Sequence, residues 1–167
     1  MAHFVSGMRC SLCGEAMLDA SQVMTFTPFV ADRADPLFTF SDAVMHMACF
    51  RRHPLSALAT RWHDEASLNR LPSARRCAAC GEFIVDHDDY FCTGLLASSP
   101  SHPLYELNFV HLHRRHAETW QRFAEFKKKL EDAQASGTWK GPRLEFVSTQ
   151  PLCVRWVVDQ RESPERG

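Results

Sequence analysis

The sequence has no long apolar run and no excess of charge of either sign. No stretch approaches the roughly 18 apolar residues of a membrane-spanning helix, and the N-terminus contains no apolar signal core. The 19 basic and 20 acidic residues give a net charge of -1, so the chain as a whole is not drawn to nucleic acids or anionic membranes. These absences predict a soluble, cytoplasmic protein with no membrane partner.

A single large core is not indicated either. The 167 residues suffice for one ordinary domain or two small ones, and 9 prolines and long polar connections interrupt the apolar segments. Small domains bury little surface and are often stabilised by metal ions or disulfides. Four of the seven cysteines form two Cys-x-x-Cys pairs, and in a reducing compartment such pairs favour metal binding over disulfides.

The two cysteine pairs belong to a pattern that repeats after 67 residues. In each copy, two further potential ligands follow the cysteine pair at the same spacing, and a Gly-Glu dipeptide follows the second cysteine. The first set is Cys10, Cys13, His46 and Cys49, and the second is Cys77, Cys80, His113 and His116. Internal repetition of this kind predicts a duplicated structural unit.

The residue types in both sets suit zinc. Zn2+ takes four ligands in a tetrahedron, with thiolate sulfur at about 2.3 Å and imidazole nitrogen at about 2.0 Å. A Cys-x-x-Cys pair followed by glycine forms a tight knuckle, in which Gly14 and Gly81 provide the backbone freedom of the turn. The second pair suits a strand end that runs into a helix. We therefore predict two structural zinc ions per chain, held by these eight residues.

Three other residues qualify this assignment. A redox-active Cys-x-x-Cys pair is the main rival, although two such pairs with equally spaced distant partners favour metal. His111 lies two residues before His113 and stays open as an alternative ligand or a neighbour of the site. Cys92 and Cys153 lie outside both sets, and we expect them to be buried structural thiols.

The segments between the ligands predict an α+β fold. Residues rich in Val, Phe, Thr and Leu predict one hairpin in each unit, from strands at 16–30 and 37–45, and at 83–85 and 104–112. A helix is expected to begin at Pro54, and a second one to span 115–134. Alternating residues at 143–159 predict a terminal hairpin.

We therefore expect three parts in the chain. Residues 1–70 form the first zinc unit and residues 71–136 the second. Residues 137–167 form the terminal hairpin, which packs on the units, and a frayed tail. Trp139 and Trp156 lie outside the repeat and are expected in the core or, if they are exposed together, at an interface.

The order of knuckle, hairpin and helix, with ligands at the start of the helix, resembles the treble-clef class of zinc fingers. The sequence 46–50 (HMACF) after 10–14 (CSLCG) also resembles the first half of a LIM finger. The resemblance covers most of residues 8–135. The chain departs from LIM domains in its long gap of 32 residues between ligand pairs and in the separation of its two units. The resemblance implies zinc binding, and its class includes protein-interaction modules, nucleic-acid binders and nucleases.

Four protein ligands at each metal leave no open position for catalysis, so we expect no enzyme and no small-molecule substrate. We predict a protein-interaction module, either an adaptor or an inhibitor of the immunity type. Nucleic-acid binding is the alternative, from basic residues at 51–52, 75–76, 114–115 and 127–129. A remote alternative is a His-metal-finger nuclease, whose further ligands would be Asp86, His87, Asp88 and Asp89, although a solvated acidic turn is the simpler interpretation.

Overall fold

The computed structural model describes residues 4–141, which form a small α+β structure with two antiparallel two-stranded sheets. The elements in chain order are β1 (Val23–Thr25), β2 (Val44–His46), α1 (Met47–Arg52), α2 (Ser56–Asn69), β3 (Tyr90–Cys92), β4 (His111–His113) and α3 (Phe123–Ala135). Within this described part, none of the helices combines the length and the apolar character that crossing a bilayer requires. The terminal hairpin expected at 143–159 lies outside the described residues, as do Cys153 and Trp156.

The first unit is built around a knuckle and a short hairpin. The knuckle closes with an antiparallel bridge between Arg9 and Ala16. Strand β1 pairs with β2 so that Val23 lies opposite His46. Helix α1 follows β2 without a break, and α2 contributes the fully buried Ala59 to the core of this unit.

The second unit repeats this backbone 67 residues later. Strands β3 and β4 lie at the shifted positions of β1 and β2, and the bridge between Arg76 and Phe83 is the shifted knuckle bridge. Helix α3 begins at the shifted position of α2. Even the positive backbone φ recurs, at 54° for Asp42 and 55° for Phe109. The repeat read from the ligands therefore extends to the knuckle bridge, both strands and the start of the long helix.

The expected strands were too long. Residues 38–40 and 105–107 form 3-10 turns, because Asp35 and His102 cap the N–H groups of Leu37 and Leu104 and so begin a turn at each place. The strand expected at 83–85 is only the knuckle bridge, in which Ile84 points into the core. The strand that pairs with β4 is instead Tyr90–Cys92.

Both helix boundaries also differ from expectation. Pro54 lies in a turn between α1 and α2, because the residue before a proline is disfavoured in a helix, and His53 accordingly has an extended backbone. In the second unit, α3 begins only at Phe123. The preceding residues form a 3-10 turn at Arg114–His116 and a loop that inserts the buried Trp120 into the core.

Each unit has its own apolar core, and the two cores exchange residues. Leu95 of the second unit packs in the core of the first, while Ala31 of the first packs against the core of the second. A parallel bridge joins Val30 to Leu95. The ring of Trp62 lies 5.9 Å from that of Tyr105. The two units therefore contact each other directly, and the placement of their boundary at residue 70 remains a prediction.

Candidate metal centres

The two knuckles have the same hydrogen bonds. The N–H of Cys10 donates to Glu15 O at 2.9 Å, and the N–H of Gly14 donates to Cys10 O at 2.9 Å. In the second unit the corresponding bonds from Cys77 and Gly81 are both 2.8 Å long. Gly14 and Gly81 have φ values of 76° and 79°, a region that side chains rarely adopt. The glycine after each cysteine pair is thus a requirement of the turn.

The hairpin and the following helical turn deliver the other two residues of each set. His46 is the last residue of β2, and Cys49 lies in the first turn of α1. His113 is the last residue of β4, and His116 ends the 3-10 turn that follows. The predicted arrangement, one residue before the helical turn and one within it, is therefore present in both units.

The structure brings each predicted set together. Within each of the two groups, the ligand atoms of the four side chains all lie within 4.8 Å of one another. The first group is Cys10, Cys13, His46 and Cys49, and the second is Cys77, Cys80, His113 and His116. Two clusters that have the composition of zinc-finger sites are thus available for metal ions.

The distances within each group test the fit to a tetrahedral ion. Zinc bonds of about 2.3 Å to sulfur and about 2.0 Å to nitrogen place the two ligand atoms about 3.5 Å apart. His46 Nδ1 lies 3.4 Å from Cys13 Sγ and 3.8 Å from Cys49 Sγ. In the second group, Cys77 Sγ to His116 Nδ1 is 3.7 Å, and Cys80 Sγ to His113 Nδ1 is 3.6 Å. Each of the two donor sets therefore fits one tetrahedral metal ion.

One thiol in each group is prepared for metal binding. Burial raises the pKa of Cys10, but the N–H groups of Cys13, His46 and Leu12 outweigh it and lower the pKa to about 6. Burial also raises the pKa of Cys77, and hydrogen bonds from the His113 N–H and the His116 side chain help to lower it to about 6. The lowered pKa of these two sulfurs favours the thiolate, the form that binds metals.

Cys49 behaves in the opposite way. Burial, a hydrogen bond with Cys13 and the neighbouring Cys10 and Cys13 sulfurs raise the pKa of Cys49 to about 11. Its counterpart in the second unit is His116. A metal ion at the first group therefore has to displace a proton from Cys49 at neutral pH.

His111 is not a member of either group. Its Nδ1 lies 2.8 Å from the hydroxyl oxygen of Tyr90, and the two rings stack inside the second core. The corresponding residues of the first unit, Val23 and Val44, are apolar. The repeat spacing selected His113 over His111, and the structure likewise places His113 in the second group. That the eight grouped residues bind a metal remains a prediction.

The acidic turn considered for a nuclease bonds to its own surroundings. Asp86 accepts from the N–H of Asp88 at 2.9 Å. Asp89 accepts from the N–H of Arg115 at 3.1 Å and pairs with its guanidinium group. Asp89 thereby holds the turn between His113 and His116. No signal in the sequence indicates this positioning role, because the corresponding residue of the first unit is Gln22.

Among the basic residues singled out from the sequence, the lysine triplet on α3 is paired with acids. Each lysine of the triplet on α3 faces a carboxylate one helical turn away: Lys127 faces Glu131, Lys128 faces Asp132 and Lys129 faces Glu125. These pairs are the i,i+4 contacts that support an exposed helix. The triplet is therefore not a free cationic surface.

Cys92 and Trp139, also singled out from the sequence, lie in the interior. Cys92 is buried in the second core, as expected, and its sulfur accepts from the N–H of Gly94 at 3.3 Å. Trp139 is also buried there.

The chain matches no protein-family model, no curated protein and no solved structure.

Proposed function

We propose that this chain is a structural-zinc protein-interaction module. It carries two Zn2+ ions, one in each treble-clef-like unit, the first of which is LIM-like. The observation that carries the proposal is that two groups of four Cys and His ligand atoms, spaced for a tetrahedron, recur at equivalent places in a duplicated fold. The module acts either as an adaptor or as an inhibitor of the immunity type.

A structural role for zinc follows from the number of donors. Four protein ligands fill a tetrahedral ion and leave no position for a reactive water, whereas catalytic zinc sites keep one position open. Each unit has strands of only three residues. Such a small unit gains from a metal ion, because the free energy of metal binding adds to its folding.

A protein partner is supported by apolar side chains on the surface of both knuckles. Leu18 is 75% exposed, and Val85, its counterpart 67 residues later, is 86% exposed. An aspartate follows each of them, Asp19 and Asp86, and each aspartate accepts from the N–H two residues ahead at 2.9 Å. An exposed aliphatic residue beside an acid, presented twice, suits a partner with basic and apolar residues.

The test is capture of a partner by the full chain. We expect a tagged chain to retain a protein from its native host, and the variant Leu18→Ser/Val85→Ser to lose it. Leu68→Ser is the matched control, because Leu68 is also an exposed leucine but lies near the end of α2. The proposal fails if no protein is retained, or if the double variant and the control retain it equally.

Retention of nucleic acid would support the alternative function instead. The lysine triplet on α3 and Arg115 are engaged with acids, which removes these four cations from a phosphate-binding surface. A nucleic-acid binder would bind strongly at low salt and lose affinity steeply as salt rises. We expect no binding at low salt.

A further inference from the structure

One carboxylate joins the two zinc units. Asp35, in the loop between β1 and β2, accepts from the N–H of Ser98 at 2.7 Å and from its hydroxyl group at 2.9 Å. The same carboxylate accepts from the N–H of Leu37 at 2.8 Å. Ser98 is buried and lies in the corresponding loop between β3 and β4. Three donors from both units thus converge on one side chain.

This connection is not part of the repeat. The residue equivalent to Asp35 in the second unit is His102, whose Nδ1 accepts from the N–H of Leu104 at 3.2 Å. His102 thus keeps the local cap, whereas Asp35 makes the cap and a link to the other unit. The link is a feature of the assembled pair of units.

A second carboxylate of the same loop reaches further along the chain. Asp32 is only 2% exposed, accepts from the N–H of Ala34 at 2.9 Å and accepts from the N–H of Lys140 at 2.7 Å. Lys140 follows Trp139, which packs in the second core. Asp32 and Asp35 therefore tie the first hairpin loop to the second unit and to the segment that follows it.

The linked loops are the ones that position candidate ligands. The loop with Asp35 leads into β2, which ends at His46, and the loop with Ser98 leads into β4, which ends at His113. If metal holds each hairpin against its knuckle, loss of metal from one unit loosens its loop. The other unit then loses its hydrogen bonds with Asp35. It also loses the core contacts that the two units share.

We propose that the two metal sites are thermodynamically coupled through Asp35, so that metal bound in either unit raises the affinity of the other unit for metal. This inference rests on the proposed zinc binding. Such coupling is reciprocal and commonly amounts to about 5–150-fold in affinity. As a consequence, chains with one ion are rarer than two independent sites would give.

The experiment compares the affinity of the second site when the first is filled and when it is destroyed. The first site is removed by Cys13→Ser/Cys49→Ser, and zinc affinity is measured on the full chain by competition with a colorimetric chelator. In the parent chain, alkylation of released thiols followed by peptide mapping identifies the site that each step empties. We expect the second site to bind zinc at least about fivefold more weakly without the first.

The role of Asp35 is tested by repeating the comparison in an Asp35→Asn background. An amide has one acceptor oxygen for three converging donors and turns its NH2 group toward one of them. We expect the affinity ratio to fall below about twofold there. Asp86→Asn is the matched control, because Asp86 caps an N–H within its own turn, and in that background the full ratio should persist.

Each outcome separates this inference from the proposed function. Two zinc ions bound with a ratio near one in the parent chain would overturn the coupling and leave the zinc sites standing. A ratio that is unchanged by Asp35→Asn would overturn the role of Asp35. A parent chain that binds no zinc would overturn the proposed function itself.

Discussion

The N–H of His113 donates to the sulfur of Cys77 at 3.4 Å, so the strand end that carries one candidate ligand is hydrogen-bonded to the knuckle that carries another. The first unit has the same bond, from the N–H of His46 to the sulfur of Cys10, at the same length. Each site is therefore partly organised by the backbone. Substitutions that disturb the backbone, or the residues that support it, should weaken metal binding.

Substitution of the second knuckle glycine should weaken the second site through the backbone alone. Gly81 has a φ of 79°, and an added Cβ would meet no atom within 4 Å. Gly81→Ala should therefore cost about 1–2 kcal/mol, the penalty of a left-handed backbone for a side chain. Gly81→Asn is the control and should cost less, because asparagine tolerates this region better. Thermal unfolding of the zinc-loaded chain provides the measurement, and equal costs would argue against the backbone explanation.

Proton release should distinguish the two sites. The pKa of Cys49 is raised to about 11, so this thiol keeps its proton at pH 8 until metal displaces it. An ordinary imidazole, with a pKa of about 6.5, is already neutral there. Cys49→His should therefore reduce the number of protons released on zinc binding by about one, and make the affinity of the first site less steeply dependent on pH between about 7 and 10.

Calorimetry in buffers of different ionisation enthalpy counts these protons. His116→Cys is the reciprocal variant, which should not release fewer protons than the parent chain. The prediction is refuted if Cys49→His and the parent chain release the same number.

Removal of Asp89 should weaken the second site selectively. Asp89 holds the turn between His113 and His116 through the N–H and the guanidinium group of Arg115. Hydrogen bonds to charged groups contribute about 1.5–3 kcal/mol, and the exposure of Arg115 favours the lower value. We expect Asp89→Ala to lower the zinc affinity of the second site by about tenfold.

The matched control is Asp132→Ala, which removes an exposed ion pair with Lys128 on α3. Exposed pairs of this kind contribute little, so chelator competition should show almost no change. Equal losses in the two variants, or an equal loss at the first site, would contradict the positioning role of Asp89.

His111 should prove dispensable for metal and important for packing. Its Nδ1 lies 2.8 Å from the hydroxyl oxygen of Tyr90 inside the core. His111→Val should keep two zinc ions per chain, whereas His113→Val should leave the second site unable to hold zinc tightly. Metal analysis after gel filtration gives the answer, and loss of one ion from the His111 variant would make it a ligand.

The sequence predicted which side chains come together better than it predicted the elements between them. The ligand positions followed from spacing, since Cys13 and Cys80 must stand at equal distances from their partners in two copies of one fold. The predicted strand lengths were wrong, because apolar residues such as Leu37 and Leu104 are equally suited to a strand or to a buried 3-10 turn. Only their capping partners decide between the two.

Other features had no local signal at all. The positive φ of Phe109 occurs at a residue type that seldom adopts it, so no composition rule predicts that bend. The bonds between Asp35 and Ser98 join residues 63 positions apart. A single sequence indicates that such polar residues exist but does not pair them across two units.

X-ray absorption at the zinc edge of the purified full chain tests the central claim most directly. Two zinc ions per chain should give a shell of five sulfur to three nitrogen ligands in total, at about 2.3 Å and 2.0 Å, because the two groups contain five cysteines and three histidines. A single ion per chain, or a shell with oxygen in place of these ligands, would contradict the account.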